Sequence, residues 1–178
     1  VDELLRKGLV ERNGAVVHED IPVEKGDELV LLTPRSLEPP VACEYTVLYE
    51  DEWLLAINKP HNLPVHPAGK YHFNTLTSLL AQDERFAKMK LHPVHRLDRE
   101  TAGIVLFAKD PKAAAAMAKM LREHEVDKTY VALVRGVVQG GGSIEEPLFV
   151  DAQNDYRFKV IIDKRRGLWA RSEYRTLC

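Results

Sequence analysis

The sequence predicts an α+β fold: a mixed, largely antiparallel sheet with flanking helices, preceded by a small N-terminal helix/hairpin appendage. Three observations carry this. Asn13-Gly14 is a strong hairpin signal near the start. The apolar run Gly103-Ile-Val-Leu-Phe-Ala108 reads as a buried central strand and is followed at once by a capped helix. Beyond Gly140 the pattern turns to antiparallel-looking strands, so helices and strands do not alternate strictly.

The elements follow in order. Asp2 to Lys7 reads as a short helix stopped by Gly8, Val10 leads into the 13–14 turn, and Ala15 to His18 returns as a strand. Gly26-Asp27 turns the chain again before the strand Glu28 to Thr33. Residues 1–33 thus form one small unit, too small to fold confidently alone. Pro34, Pro39 and Pro40 remove amide donors and restrain their predecessors, which marks 34–44 as a linker and 45–178 as the main domain. Tyr45 to Tyr49 and Trp53 to Asn58 read as two strands around the acidic turn Glu50-Asp-Glu52. Leu76 to Leu80 is a short helix capped by Thr75 or Asn74. Asp110-Pro111 opens the helix that runs to His124, with Asp as N-cap and Pro at N1. Thr129 to Val134 is expected as a strand, Gly140-Gly-Gly142 as a turn, and Arg171 to Cys178 as a strand.

At 178 residues, 45% hydrophobic and 29% charged, the chain has the composition of a soluble globular protein. It can bury a core without disulfides or metals. No apolar stretch approaches the length of a membrane span and no signal-peptide pattern opens the chain. Cys43 and Cys178 lie far apart without metal-ligand or redox spacing, which favours a reducing, cytoplasmic setting. The first residue is Val1 and the last strand stops without a turn, so both ends read as cut. The net charge of −2 conceals a gradient. Residues 1–42 hold 5 Lys+Arg against 9 Asp+Glu, residues 43–108 hold 7 against 8, and residues 109–178 hold 13 against 10. Lys164-Arg165-Arg166 in the basic third is either a solvated turn or a face toward an anionic partner.

The densest chemistry is His92-Pro-Val-His95-Arg96-Leu97-Asp98-Arg99-Glu100-Thr101, immediately before the apolar run. Charged residues gather beside a hydrophobic strand when they are paired or used. A carboxylate flanked by Arg96 and Arg99 is expected to stay ionised, which suits a nucleophile or electrostatic stabiliser, and Asp98 is the candidate. A structural alternative makes Asp98 a cap for the following turn. A third reading takes His92, His95 and Asp98 as metal ligands, although the intervening arginines oppose a dication.

Here the sequence resembles the RluA-type pseudouridine synthase family. His95-Arg-Leu-Asp-Arg-Glu-Thr101 with Gly103 and Leu106-Phe-Ala-Lys109 looks like its central motif. Asn58-Lys-Pro-His-Asn-Leu-Pro-Val-His-Pro67 is similar to an earlier motif, and Lys128-Thr-Tyr-Val-Ala-Leu-Val-Arg-Gly136 to a later tyrosine motif. Gly8 to Gly14 with Gly26-Asp27 looks like the tail of an S4-type RNA-binding module. The resemblance implies the pseudouridine synthase fold and isomerisation of a uridine within rRNA or tRNA, with no cofactor and no metal. It implies Asp98 and Tyr130 as catalytic residues and Arg96 as the side chain that fills the gap left by a flipped nucleotide. It further suggests His95, Leu97, Arg99, Thr101, Lys59, Pro64, His66 and Pro67 as substrate-binding, with Lys59 and His66 lining an RNA groove. Ala102 stands where the family usually has Ser, and no Gly-Arg-Thr-His-Gln-Ile-Arg-like stretch follows. The guanidinium partner expected for Asp98 is thus missing, and a carboxylate buried without it would have its pKa pushed upward by desolvation. The competing classes are a non-catalytic RNA-binding protein of the same fold and a His/Asp metallohydrolase.

Overall fold

The computed structural model describes residues 1–32, 38–151 and 159–177. Thr33, Pro34 and Cys178 lie outside them. The chain divides into two compact units, Val1–Asp127 and Lys128–Cys178.

The first unit opens with helix α1 (Asp2–Arg6), which ends where Gly8 takes a φ of 63°. Strands β1 (Val10–Arg12), β2 (Ala15–Val17) and β3 (Leu29–Leu31) form an antiparallel sheet in the order β2-β1-β3. Asn13 and Gly14 hold φ of 52° and 78°, the left-handed pair a two-residue hairpin needs. Asp27 locks this turn to β3. Its carboxylate accepts from Asn13 Nδ2 at 2.8 Å and the Glu24 amide at 2.7 Å and pairs with Arg12 at 2.6 Å. Asn13 Oδ1 in turn accepts the Glu28 amide at 2.9 Å.

A second sheet follows in the order β4-β5-β7-β6, all antiparallel, from β4 (Thr46–Glu50), β5 (Leu54–Lys59), β6 (His92–Pro93) and β7 (Gly103–Ala108). Asp51 makes the tight β4–β5 turn by accepting the Trp53 and Leu54 amides at 2.8 and 2.7 Å. Period-two alternation on the inner strands puts Leu55, Ile57, Val105 and Phe107 on one face. That face packs against Leu63, Val65, Leu97, Phe86 and the inner side of α2 (Leu76–Gln82), where Leu76 and Leu80 are buried. Thr75 caps α2, its side chain accepting the Ser78 amide. β7 is central, as its composition predicts, but only one of its faces is fully buried and Ile104 is exposed. Helix α3 (Pro111–Arg122) follows with Asp110 capping the Lys112 and Ala113 amides and Pro111 in the first turn.

From Glu38 onward the expected linker is tied to the first unit. Glu38 is buried, Val41 packs against the core, and Ala42 donates to the Asn62 carbonyl at 3.3 Å.

The second unit is a three-stranded antiparallel sheet ordered β10-β8-β9, from β8 (Gly141–Asp151), β9 (Lys159–Ile162) and β10 (Leu168–Arg175). Two expectations are corrected here. Gly141 and Gly142 are the first rungs of β8, opposite Arg175 and Tyr174, with only Gly140 turning the chain at a φ of 72°. A Cβ at Gly141 would lie 2.8 Å from the Tyr174 carbonyl oxygen, so close backbone approach explains that glycine. Residues 129–134 form no strand; Val131, Leu133 and Val134 are exposed. Alternating β-branched residues make a strand only when an edge is there to receive their hydrogen bonds, and none of the described strands does so. Lys164-Arg165-Arg166 is a turn. Asp163 accepts the Arg165 and Arg166 amides, and the Arg166 guanidinium lies 4.1 Å from the Phe149 ring centre.

Arg12, the Glu24 amide and Asn13 together lower the Asp27 carboxyl to about 2. Its unfolded value is about 3.9, so its stabilisation is complete above that pH and is lost as pH falls through 2. Acid unfolding followed by the β1–β2 amide resonances will show a step near pH 2–4 in the wild type that Asp27→Asn removes.

Candidate active site

The site is built where β5 and β7 end side by side, since Lys59 pairs with Gly103 in register. The residues joining β6 to β7 make the loop that carries Asp98. That loop is fastened at three points. His95 Nε2 accepts the Leu106 amide at 3.1 Å, so this ring nitrogen carries no proton and His95 extends the edge bonding of β7 beyond β6. Leu97 is buried in the core. Thr101 N–H donates to the Asp98 carbonyl at 3.1 Å, closing a turn through the backbone. Gly103 sits at a φ of 130°, a conformation only glycine adopts easily, and lets the loop enter β7.

Next to the buried Leu97 the Asp98 side chain projects outward, 85% exposed, with Arg96 Nη2 4.0 Å from Oδ1 and itself 63% exposed. Asp98 is not buried, so desolvation does not act on it; Leu97 alone of this stretch turns into the core. Nor does Asp98 cap the turn with its side chain, which the backbone already closes.

Arg99 departs from its expected place beside Asp98. Its guanidinium donates to the Tyr71 hydroxyl and the Glu100 carboxylate and lies 5.4 Å from the Tyr71 ring centre. Lys59 is a larger correction. It is completely buried, so it lines no groove, and its ammonium donates to the carbonyls of Pro60 at 2.9 Å, Leu63 at 2.8 Å and Arg99 at 3.2 Å. Desolvation lowers its pKa, against the attraction of Glu100 and Asp98. Pro64 is also buried, its carbonyl accepting the Leu76 amide at 2.8 Å. Leu97, Lys59 and Pro64 thus shape the site from beneath. His66 and Thr101 are half-buried, and Pro67 is exposed. Tyr130 belongs to the second unit, on the extended segment after α3, and is 60% exposed. His92, His95 and Asp98 do not come together: among the described residues no three His, Cys, Asp or Glu side chains are grouped to hold a metal.

Sequence reasoning missed Glu38 and Tyr71. Glu38 accepts the amides of His72, Phe73 and Asn74, and Tyr71 carries Arg99. An acid among prolines is the one signal that could have drawn attention to Glu38.

Comparison with known proteins gives the family. The sequence profile described as RNA pseudouridylate synthase matches residues 53–177, which takes in the Lys59 motif, the Asp98 loop and the Tyr130 segment. The chain belongs to the RNA pseudouridylate synthase family. Within that family it is 37% identical over 133 residues to a yeast (Saccharomyces cerevisiae) protein, the mitochondrial tRNA pseudouridine(32) synthase, covering 74% of this chain and 28% of that one. It is 34% identical over 159 residues to the ribosomal large subunit pseudouridine synthase C of Escherichia coli K12, covering 82% of this chain and 49% of that one. The chain therefore spans half or less of the length of these curated relatives. The solved structure of human RNA pseudouridylate synthase domain containing 4 superposes with a TM-score of 0.51 at 26% identity, covering 74% of this chain and 53% of that one. Human RNA pseudouridylate synthase domain containing 1 shares the fold, with a TM-score of 0.57 at 22% identity, covering 77% of this chain and 53% of that one. The pseudouridine synthase fold expected from the motifs is thereby confirmed.

Removing the Lys59 ammonium leaves the Pro60 and Leu63 carbonyls without their donor. Lys59→Met is expected to destabilise the first unit by about 2 kcal/mol, measured by urea unfolding, while Lys70→Met on the surface changes stability by less than about 0.5 kcal/mol.

Proposed function

We propose that the protein isomerises uridines within tRNA or rRNA to pseudouridine. The observation that carries this reading is the exposed Asp98 carboxylate, held on a loop whose neighbouring residues are fixed by His95, Leu97 and Lys59, with Arg96 at 4.0 Å. A reactive carboxylate needs access to the substrate and a fixed position, and preorganised placement supplies much of a catalytic advantage.

In the proposed reaction the bond from C1′ to N1 breaks, the base turns, and a bond forms from C1′ to C5. The C5 proton leaves and N1 gains one, so the change is an isomerisation and no external oxidant or reductant is consumed. Asp98 acts on the ribose or the base during this exchange. A paired or stacked uridine hides its glycosidic bond, so it must be flipped out at a cost of a few kcal/mol. Arg96, with most of its side chain free of protein contact, fills the vacated stack. Tyr130 supports the flipped base and serves proton transfer. His66, Pro67 and Thr101 contact the RNA in this reading. Residues 1–33 are a partial S4-like segment that adds RNA contacts. The proposal includes a cytoplasmic location. Among the described residues no helix is long and apolar enough to cross a membrane.

Incubation with tRNA and rRNA, followed by carbodiimide treatment and primer extension, tests this directly. Wild type is expected to produce pseudouridine stops and Asp98→Asn none, a loss of at least about a hundredfold, with RNA binding retained. Retained binding with no product from wild type on any RNA would instead make the protein a binding module. Loss of product on adding a chelator would favour metal chemistry.

With a net charge of −2 and a modest basic excess confined to residues 109–178, few phosphates are contacted. Titrations from 50 to 300 mM salt are expected to give a log–log slope of about −2 to −4. A slope near −8 would contradict the proposed mode of binding.

A further inference from the structure

We propose that Glu38 is a positioning residue, holding the loop 66–74 as a preformed RNA-facing edge beside the Asp98 loop and acting through Tyr71 and Arg99. The inference rests on the reading of the protein as an RNA-modifying enzyme.

Glu38 is 7% exposed, unusual for a carboxylate in a proline-rich segment. It accepts the amides of three consecutive residues: His72 at 2.9 Å, Phe73 at 2.8 and 3.1 Å, and Asn74 at 2.8 Å. Asn74 Nδ2 returns a bond to the Pro39 carbonyl at 3.1 Å. Charge-assisted bonds from three successive amides fix a backbone more firmly than neutral ones. Burial raises the Glu38 pKa, but the Asn74, Phe73 and His72 amides outweigh it, and the net shift is downward.

With the amides of 72–74 turned inward, the side chains are left outside. Lys70, His72 and Phe73 are exposed, and His66 is half-buried. Cationic and aromatic groups on one short, ordered loop suit a partner made of phosphates and bases. Two features tie this loop to the site. Tyr71, next to the clamped amides, is bonded to Ala68 in both directions at 2.9 and 3.0 Å. Its ring and hydroxyl receive the guanidinium of Arg99, the residue that follows Asp98. The Leu63 amide, at the other end of the proline loop, donates to the Arg99 carbonyl at 3.1 Å. Glu38 thus fixes an edge that shares Arg99 with the catalytic loop, without itself touching substrate.

The test uses the full chain as wild type, Glu38→Gln, Tyr71→Phe and the double variant. Hydrogen exchange reads the amides of 72–74 against those of β7, and initial rates of pseudouridine formation are measured on unfractionated tRNA and a ribosomal RNA transcript. The expected result in Glu38→Gln is lost protection at 72–74 with β7 protection intact, KM raised about tenfold and kcat changed less than twofold. Tyr71→Phe should raise KM less, and the double variant should be no worse than Glu38→Gln, because both act along one chain of contacts. Protection at 72–74 that survives Glu38→Gln overturns the proposal. So does a fall in kcat with KM unchanged, which mere loss of folded protein would give, and so do effects that multiply in the double variant. If wild type forms no pseudouridine the enzymatic reading fails, while exchange at 72–74 and tRNA binding by fluorescence anisotropy still decide the role of Glu38.

Discussion

A fully buried ammonium solvated by three backbone carbonyls is the constraint on which the site depends. Removing a charge from water is costly, and Lys59 persists inside the fold only because Pro60, Leu63 and Arg99 all offer oxygen to it. Those carbonyls come from the end of β5, the proline loop and the Asp98 loop. Meeting the needs of one cation therefore brings three chain segments to a common point. Leu97 and Leu63 then seal the underside with apolar contact, and the carboxylate above is left free of structural duty.

The neighbouring arginines show how finely such a loop divides labour. Arg96 and Arg99 flank Asp98 in sequence, and symmetry would give them similar roles. Only Arg96 reaches the carboxylate, and then at 4.0 Å; Arg99 is held away by Tyr71 and Glu100. One arginine is free to meet a partner, and the other is part of the frame.

Local chemistry was the legible part of the sequence. Asn13-Gly14 and Asp110-Pro111 encode their turn and cap within a few residues, and the run 103–108 announces its strand by composition alone. The central motif marked Asp98 and Arg96, and both sit together at the surface. What was not legible depended on partners far away in sequence. Lys59 reads as a surface cation until the carbonyl of Arg99, forty residues on, accepts a hydrogen bond from its ammonium. Glu38 reads as one more charge in a linker until the amides of 72–74 arrive. The strand expected over 129–134 failed for a related reason: alternation states a preference for a sheet but does not supply the neighbouring edge.

The junction at Ala102 and Gly103 carries a consequence for sequence drift. Ala102 is exposed on the loop, whereas Gly103 enters β7 at a φ of 130°. A Cβ at 103 would find ordinary contact with Leu97 at 3.9 Å, so space is not what bars a side chain there; the backbone conformation is. Two adjacent positions in the most chemically loaded stretch thus differ widely in the history they can absorb. The first, exposed to solvent, leaves room for a side chain, while the second admits glycine or else requires the Asp98 loop to be rebuilt.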